Sequence, residues 1–252
     1  SAKLRTNCAN IRTKERSVMK KFAFTLAEVL ITLGIIGVVA VITLPAVINN
    51  SRNKQLEAGL KRAYSVTSQA LDVYQAETGE RYTLENAEKY TLKPILMKYL
   101  KTVEDCGFGA NKVNESCIPN TGNSNYDPDN NKARASYKTY NGKKEININF
   151  FDDGQFVMND GSLVLLENEI TTRAYISIDV NGYNKNPNRL GHDLFMFQID
   201  DKGKLLPMGV KGTDYYSTID AFCSSTATSS MNGAGCTYHA LTDKDYFKNL
   251  PK

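Results

Sequence analysis

Apolar residues follow three successive patterns along the chain. From Phe24 to Leu44 they are nearly continuous, twenty-one residues in which Glu28 is the only charge. As a helix this run is about 31 Å long, the thickness of a bilayer core. From Leu56 the apolar positions recur at steps of three and four: Leu60, Ala63, Tyr64, Thr67, Leu71 and Tyr74. Arg52, Lys54, Glu57, Lys61, Arg62 and Gln69 fill the other faces. This spacing predicts one amphipathic helix to about Ala76, stopped near Gly79, with Pro45 upstream as a point of kinking or loosening. From Ile146 the period becomes two. Ile146, Ile148 and Phe150 alternate with polar residues, Asp152-Asp153-Gly154 predicts a turn, and QFVMN predicts the return strand of a hairpin. LVLLENEI, RAYISIDV and DLFMFQI predict three more strands, and DDKG turns the last toward KLLP.

Between helix and strands, Thr83–Val103 predicts a second helical stretch broken by Pro94, and the Asn-, Asp- and Gly-rich residues 120–144 predict a surface loop. A long helix followed by meander strands is an α+β plan, the N-terminal helix packed on a C-terminal antiparallel sheet. The predicted organisation is a basic leader over 1–23, a transmembrane helix over 24–45, its amphipathic continuation over 46–78 and a globular head over 79–252.

Charge sharpens the topology. Residues 1–23 hold seven Lys/Arg against one Glu, a net of +6 within the chain's +4, so residues 24–252 carry −2. Lys20 and Lys21 directly precede the apolar run, with Arg12, Lys14 and Arg16 behind them, and the positive-inside rule keeps this end cytoplasmic. The head is then extracytoplasmic. The run is too long for a secretory signal peptide and has no clean Ala-x-Ala at its far end. A plain signal anchor explains everything except Glu28, because a carboxylate in lipid is costly and seldom idle. No basic run or aromatic-plus-basic motif follows, so no nucleic-acid partner is expected.

Cys8 lies in the leader, while Cys106, Cys117, Cys223 and Cys236 fall in the head as two local pairs. Outside the cytosol such pairs read as disulfides; the rival, structural zinc, usually wants tight Cys-x-x-Cys spacing. His192 and His239 belong to no metal or catalytic motif and read as surface polar residues. No Gly-x-Ser-x-Gly, Walker loop or dinucleotide fingerprint occurs, and no enzymatic activity is expected.

The stretch KKFAFTLAEVLITLGIIGVVAVITLP, residues 20–45, resembles the N-terminal signature of type IV pilins and type II secretion pseudopilins. The shared features are a short basic leader, a small residue, Phe-Thr-Leu, a Glu five residues into the mature chain, and an apolar run ending near a Pro. The resemblance implies a pilin-like fold, cleavage between Ala23 and Phe24 by a prepilin peptidase, and N-methylation of Phe24. The residue before the cut is usually Gly in that family and is Ala23 here. Met19 offers an alternative start with the leader Met-Lys-Lys-Phe-Ala. The resemblance further implies that Glu28 neutralises the N-terminal amine of an adjacent subunit, and that the helix bends or melts near Pro45 on packing. The implied partners are other pilin or pseudopilin subunits, the peptidase and an inner-membrane assembly platform. The implied location is the bacterial inner membrane, single-pass, with the head in the periplasm or outside the cell, and a filament after assembly. A minor pilin serving as tip adhesin or DNA-uptake module is the alternative.

The segment SIDVNGYNKNPNRLGHDLFMFQI, residues 177–199, also resembles an element of pseudopilin-like proteins in which Asp-x-Asn-Gly and Pro-Asn-x-x-Gly-x-Asp lead into a strand. Asp179, Asn181 and Asp193 offer hard oxygens suited to structural calcium, and no other cofactor is expected. The spacing is not that of an EF-hand, and Asp and Asn also serve as turn formers. The tail from Cys223, with Cys236-Thr237 and a closing Asp-Tyr, resembles the family's ending, where a disulfide would clamp a Ser/Gly-rich loop.

Overall fold

The computed structural model describes residues 25–108, 116–118, 137–168, 172–217 and 221–251. The leader, including Ala23 and Phe24, lies outside them, as does most of the predicted loop over 120–144. Contacts divide the chain into two units, residues 1–47 and 48–252.

Helix α1, Leu26–Thr78, joins the apolar run and the amphipathic segment in one continuous helix that includes Pro45. Its N-terminal part is long and apolar enough to cross a bilayer. In the second unit the stripe read from the sequence is the buried face: Leu56, Leu60, Ala63, Thr67, Ala70 and Leu71. Gly79, with φ of 82°, ends the helix and donates its N–H to the Gln75 carbonyl.

Among the described residues, six strands follow in a single antiparallel meander ordered as in the sequence: β1 Thr102–Asp105, β2 Gln155–Met158, β3 Leu163–Glu167, β4 Tyr175–Asp179, β5 Leu194–Ile199 and β6 Leu205–Pro207. One face packs on α1. Phe156, Val164, Leu166, Ile176, Phe195 and Phe197 join Leu56 and Leu60 in one core, where Tyr64 stacks on Phe197 with ring centroids 5.6 Å apart. The other face carries Leu163, Leu165, Tyr175 and Met196. They are buried under Tyr137, Ile146, Ile148, Phe151 and Leu190, which form an outer layer of loops. Both faces are therefore dry, which is why β3, β4 and β5 read as near-continuous apolar runs.

Two disulfides tie the outer layer down. Cys106–Cys117 holds the chain leaving β1, and Cys223–Cys236 ties the loop before helix α3, Cys236–Thr242, to that helix's first residue.

The structure corrects several expectations. The second helix, α2, is only Leu92–Tyr99, and Thr102–Asp105 is strand rather than helix. Pro94 does not break α2, because it lies in the first turn, where a backbone N–H has no helical partner to lose. Ile148–Phe150 is a 3-10 turn, not a strand. Asn147 starts it by accepting from the Asn149 N–H at 3.3 Å, and Ile146 and Ile148 are buried in the outer layer. The hairpin partner of β2 is β3, reached through Asn159–Ser162. The end of the predicted surface loop is also core: Tyr137 is fully buried, and Lys138 bridges to both Glu145 and Arg189.

Candidate functional site

At the start of α1, Thr25 and Glu28 bond reciprocally. The Thr25 N–H and hydroxyl both donate to Glu28 Oε2 at 2.8 Å, and the Glu28 N–H donates to Thr25 Oγ1 at 3.2 Å. This is a capping box, readable as Thr-x-x-Glu, and it holds the carboxylate at the helix end where the macrodipole favours negative charge. The large apolar side chains from Leu26 to Val47 are all at least 40% exposed. This rod thus presents one oriented acid and an apolar surface.

A second constellation lies in the head, in the loop joining β4 to β5. Asp179 ends β4 and pairs across the sheet with Leu194, which opens β5 directly after Asp193. The register thereby brings two carboxylates to one end of the sheet, and both residues are fully buried. Asp179 Oδ1 accepts from the N–H groups of Asn181, at 3.2 Å, and Gly182, at 2.9 Å, while its Oδ2 accepts from the Tyr137 hydroxyl at 2.5 Å. Asp193 accepts from the N–H groups of Asn188 and Arg189 at 2.9 and 2.8 Å. The turn-forming role of these acids is therefore real. Gly182 is required in this turn: its φ is 83°, and a Cβ there would lie 2.3 Å from the Gly161 carbonyl oxygen.

The N–H bonds do not offset burial. Desolvation, then the charge of Asp193, drives the Asp179 carboxyl well above its ordinary range. Desolvation likewise pushes Asp193 up to about 6, against the opposing pull of the Arg189 and Asn188 N–H groups and the Arg52 charge.

Two further oxygens belong to this loop. The Asn181 amide nitrogen is committed to the Lys185 and Asn186 carbonyls at 3.0 and 3.4 Å, and that of Asn188 to the Tyr183 carbonyl at 2.9 Å. Their Oδ1 atoms are buried acceptors with no hydrogen-bond partner. The amides cannot be flipped to relieve this without losing those bonds. Two buried carboxylates and two orphaned amide oxygens thus belong to one loop, and oxygens of this kind are the donors that calcium takes. Sequence reasoning did not single out Asn188 as a donor, although it stands in the Pro-Asn of the motif.

His192, expected at the surface, is buried within this loop. Its Nε2 lies 2.9 Å from the Tyr140 carbonyl, and its ring packs edge-on against Tyr140. Desolvation, then the charge of Arg189, lowers its pKa to about 4. His239 is half-buried in α3. Asp152 and Asp153, expected as turn residues, have carboxylate oxygens within 4.8 Å of each other and of Glu167. Asp153 is buried and accepts from the Asn168 N–H at 2.7 Å, which fixes the end of β3.

Comparison with protein families, with curated proteins and with solved structures finds no match for this chain.

Proposed function

We propose that this chain is a pilin-like structural subunit, cut between Ala23 and Phe24 by a prepilin peptidase and assembled through α1 into a type II secretion pseudopilus or a related pilus-like filament. The observation that carries the reading is the lone acid Glu28 near the start of an apolar run directly preceded by Lys20 and Lys21. The capping box supports it, because Thr25 orients Glu28 toward the helix end that cleavage would expose as a cationic amine. In a filament that amine, on Phe24 of a neighbouring subunit, is the acid's partner. Breaking such a buried pair leaves one charge uncompensated, at about 3 to 5 kcal/mol, so the pair sets register as well as holding subunits together. The function is mechanical, with energy supplied by other components.

We further propose that in the head Asp179, Asp193, Asn181 and Asn188 would hold a structural calcium ion. When bound, the ion supplies the counter-charge that two buried carboxylates lack. The residues' own part is to fix the loop: Tyr137 and the backbone N–H groups orient the carboxylates, and the committed amide nitrogens orient the oxygens.

The assembly reading is tested by Glu28→Ala. Expected is normal membrane insertion with filament incorporation reduced at least about tenfold, measured on sheared filament fractions. Incorporation at the wild-type level contradicts the reading. Pull-down of secretion components, compared with surface-pilus fractions, separates a secretion pseudopilin from an adhesive or DNA-uptake minor pilin.

A further inference from the structure

We infer that Arg52 of α1 and a divalent cation compete for the negative charge of the β4–β5 loop, so that loading the loop with calcium releases the guanidinium. The inference rests on the calcium reading of that loop. Arg52 Nη2 donates to the Asn186 carbonyl. The same oxygen accepts from Asn181 Nδ2 at 3.4 Å, and Asn181 Oδ1 is one of the two orphaned acceptors. The guanidinium is thus one residue removed from an atom that the cation would take.

Arg52, Gln55, Asn181, Lys185 and Asn186 line one cleft of about 330 Å³, which gives the guanidinium space to turn away. Without a metal, the guanidinium rests on the Asn186 carbonyl. With a doubly charged ion held by the loop, that closeness becomes repulsion between like charges.

The attachment of α1 to the loop does not depend on Arg52. Gly59 lets the helix approach Val180, whose Cβ lies 3.1 Å from where a glycine Cβ would stand, and Leu56 and Leu60 are buried in the core. Removing the guanidinium should therefore change cation affinity without undocking the helix.

The test is calorimetric titration of calcium into the full chain in detergent micelles, comparing wild type with Arg52→Gln, Arg52→Lys and Lys54→Gln. Lys54 is an exposed cation two positions away and controls for a general change in net charge. Arg52→Gln should bind calcium about five- to tenfold more tightly than wild type. Arg52→Lys should stay closer to wild type than Arg52→Gln does, and Lys54→Gln should change affinity by less than about twofold. Equal affinities for Arg52→Gln and Lys54→Gln, with wild type binding, would overturn the competition and leave the calcium reading intact. No calcium binding by any of the four proteins would overturn the calcium reading and the competition with it.

Discussion

His192 shows how position changes the chemistry of a residue. In solution an imidazole takes a proton near pH 6.5. In this fold it is desolvated against Tyr140 and faced by Arg189 and Arg52, and its pKa falls to about 4. A base with a depressed folded pKa favours the fold while it is neutral. Its contribution is complete above the unfolded value and is lost as pH falls through 6.5 toward 4. Wild type should therefore lose about 2 kcal/mol more stability than His192→Gln between pH 7 and pH 5. Denaturant unfolding of both proteins at the two pH values measures this, and parallel losses would contradict it. Asp179 and Asp193 act in the opposite sense, because their raised pKa values favour the fold as pH falls; the comparison with His192→Gln cancels them. None of this was legible in the sequence. A lone histidine carries no motif, and its burial depends on Tyr140, fifty-two positions away.

At the scale of elements, legibility tracked the range of the determining contacts. The amphipathic stripe of α1 and the strands β3 to β5 were readable, because side-chain periodicity and continuous apolar runs are local signals. The Asn-flanked Ile146 and Ile148 misled, because alternation also suits a segment that lays two side chains into a loop layer. The paired head cysteines were readable from spacing, and the sequence suggested that one disulfide staples a Ser/Gly-rich loop. In the fold that bridge has a second role, since Cys223–Cys236 ties down the segment whose Met231 and Ala234 cover the outer face of the sheet. Replacing both cysteines with Ala should cost about 3 kcal/mol, as expected for a loop of this length. It should also expose the outer face before the α1 face, measurable by hydrogen exchange in β3 and β4. Loss of protection at α1 with β3 and β4 unchanged would contradict that assignment.

At the scale of the whole molecule, the chain carries an apolar rod bearing one oriented acid and a head whose sheet is dry on both faces. The acid stands out in the sequence because it interrupts an apolar run; its intramolecular partner Thr25 is marked only by the short Thr-x-x-Glu pattern, which the capping geometry makes meaningful. The β4–β5 loop was half legible. Asp179, Asn181 and Asp193 stood out, whereas the orphaned oxygen of Asn188 and the approach of Arg52 depend on how the chain folds back from β4 to β5. The proposal that Glu28 serves assembly depends on a newly made amine at Phe24. The most direct test is the mass of the intact protein recovered from cells, with its N-terminal peptide sequenced. The expected result is a chain that begins at Phe24 and carries one added methyl group on its amine. A chain that begins upstream of residue 24, or downstream of Pro45, would contradict the proposal.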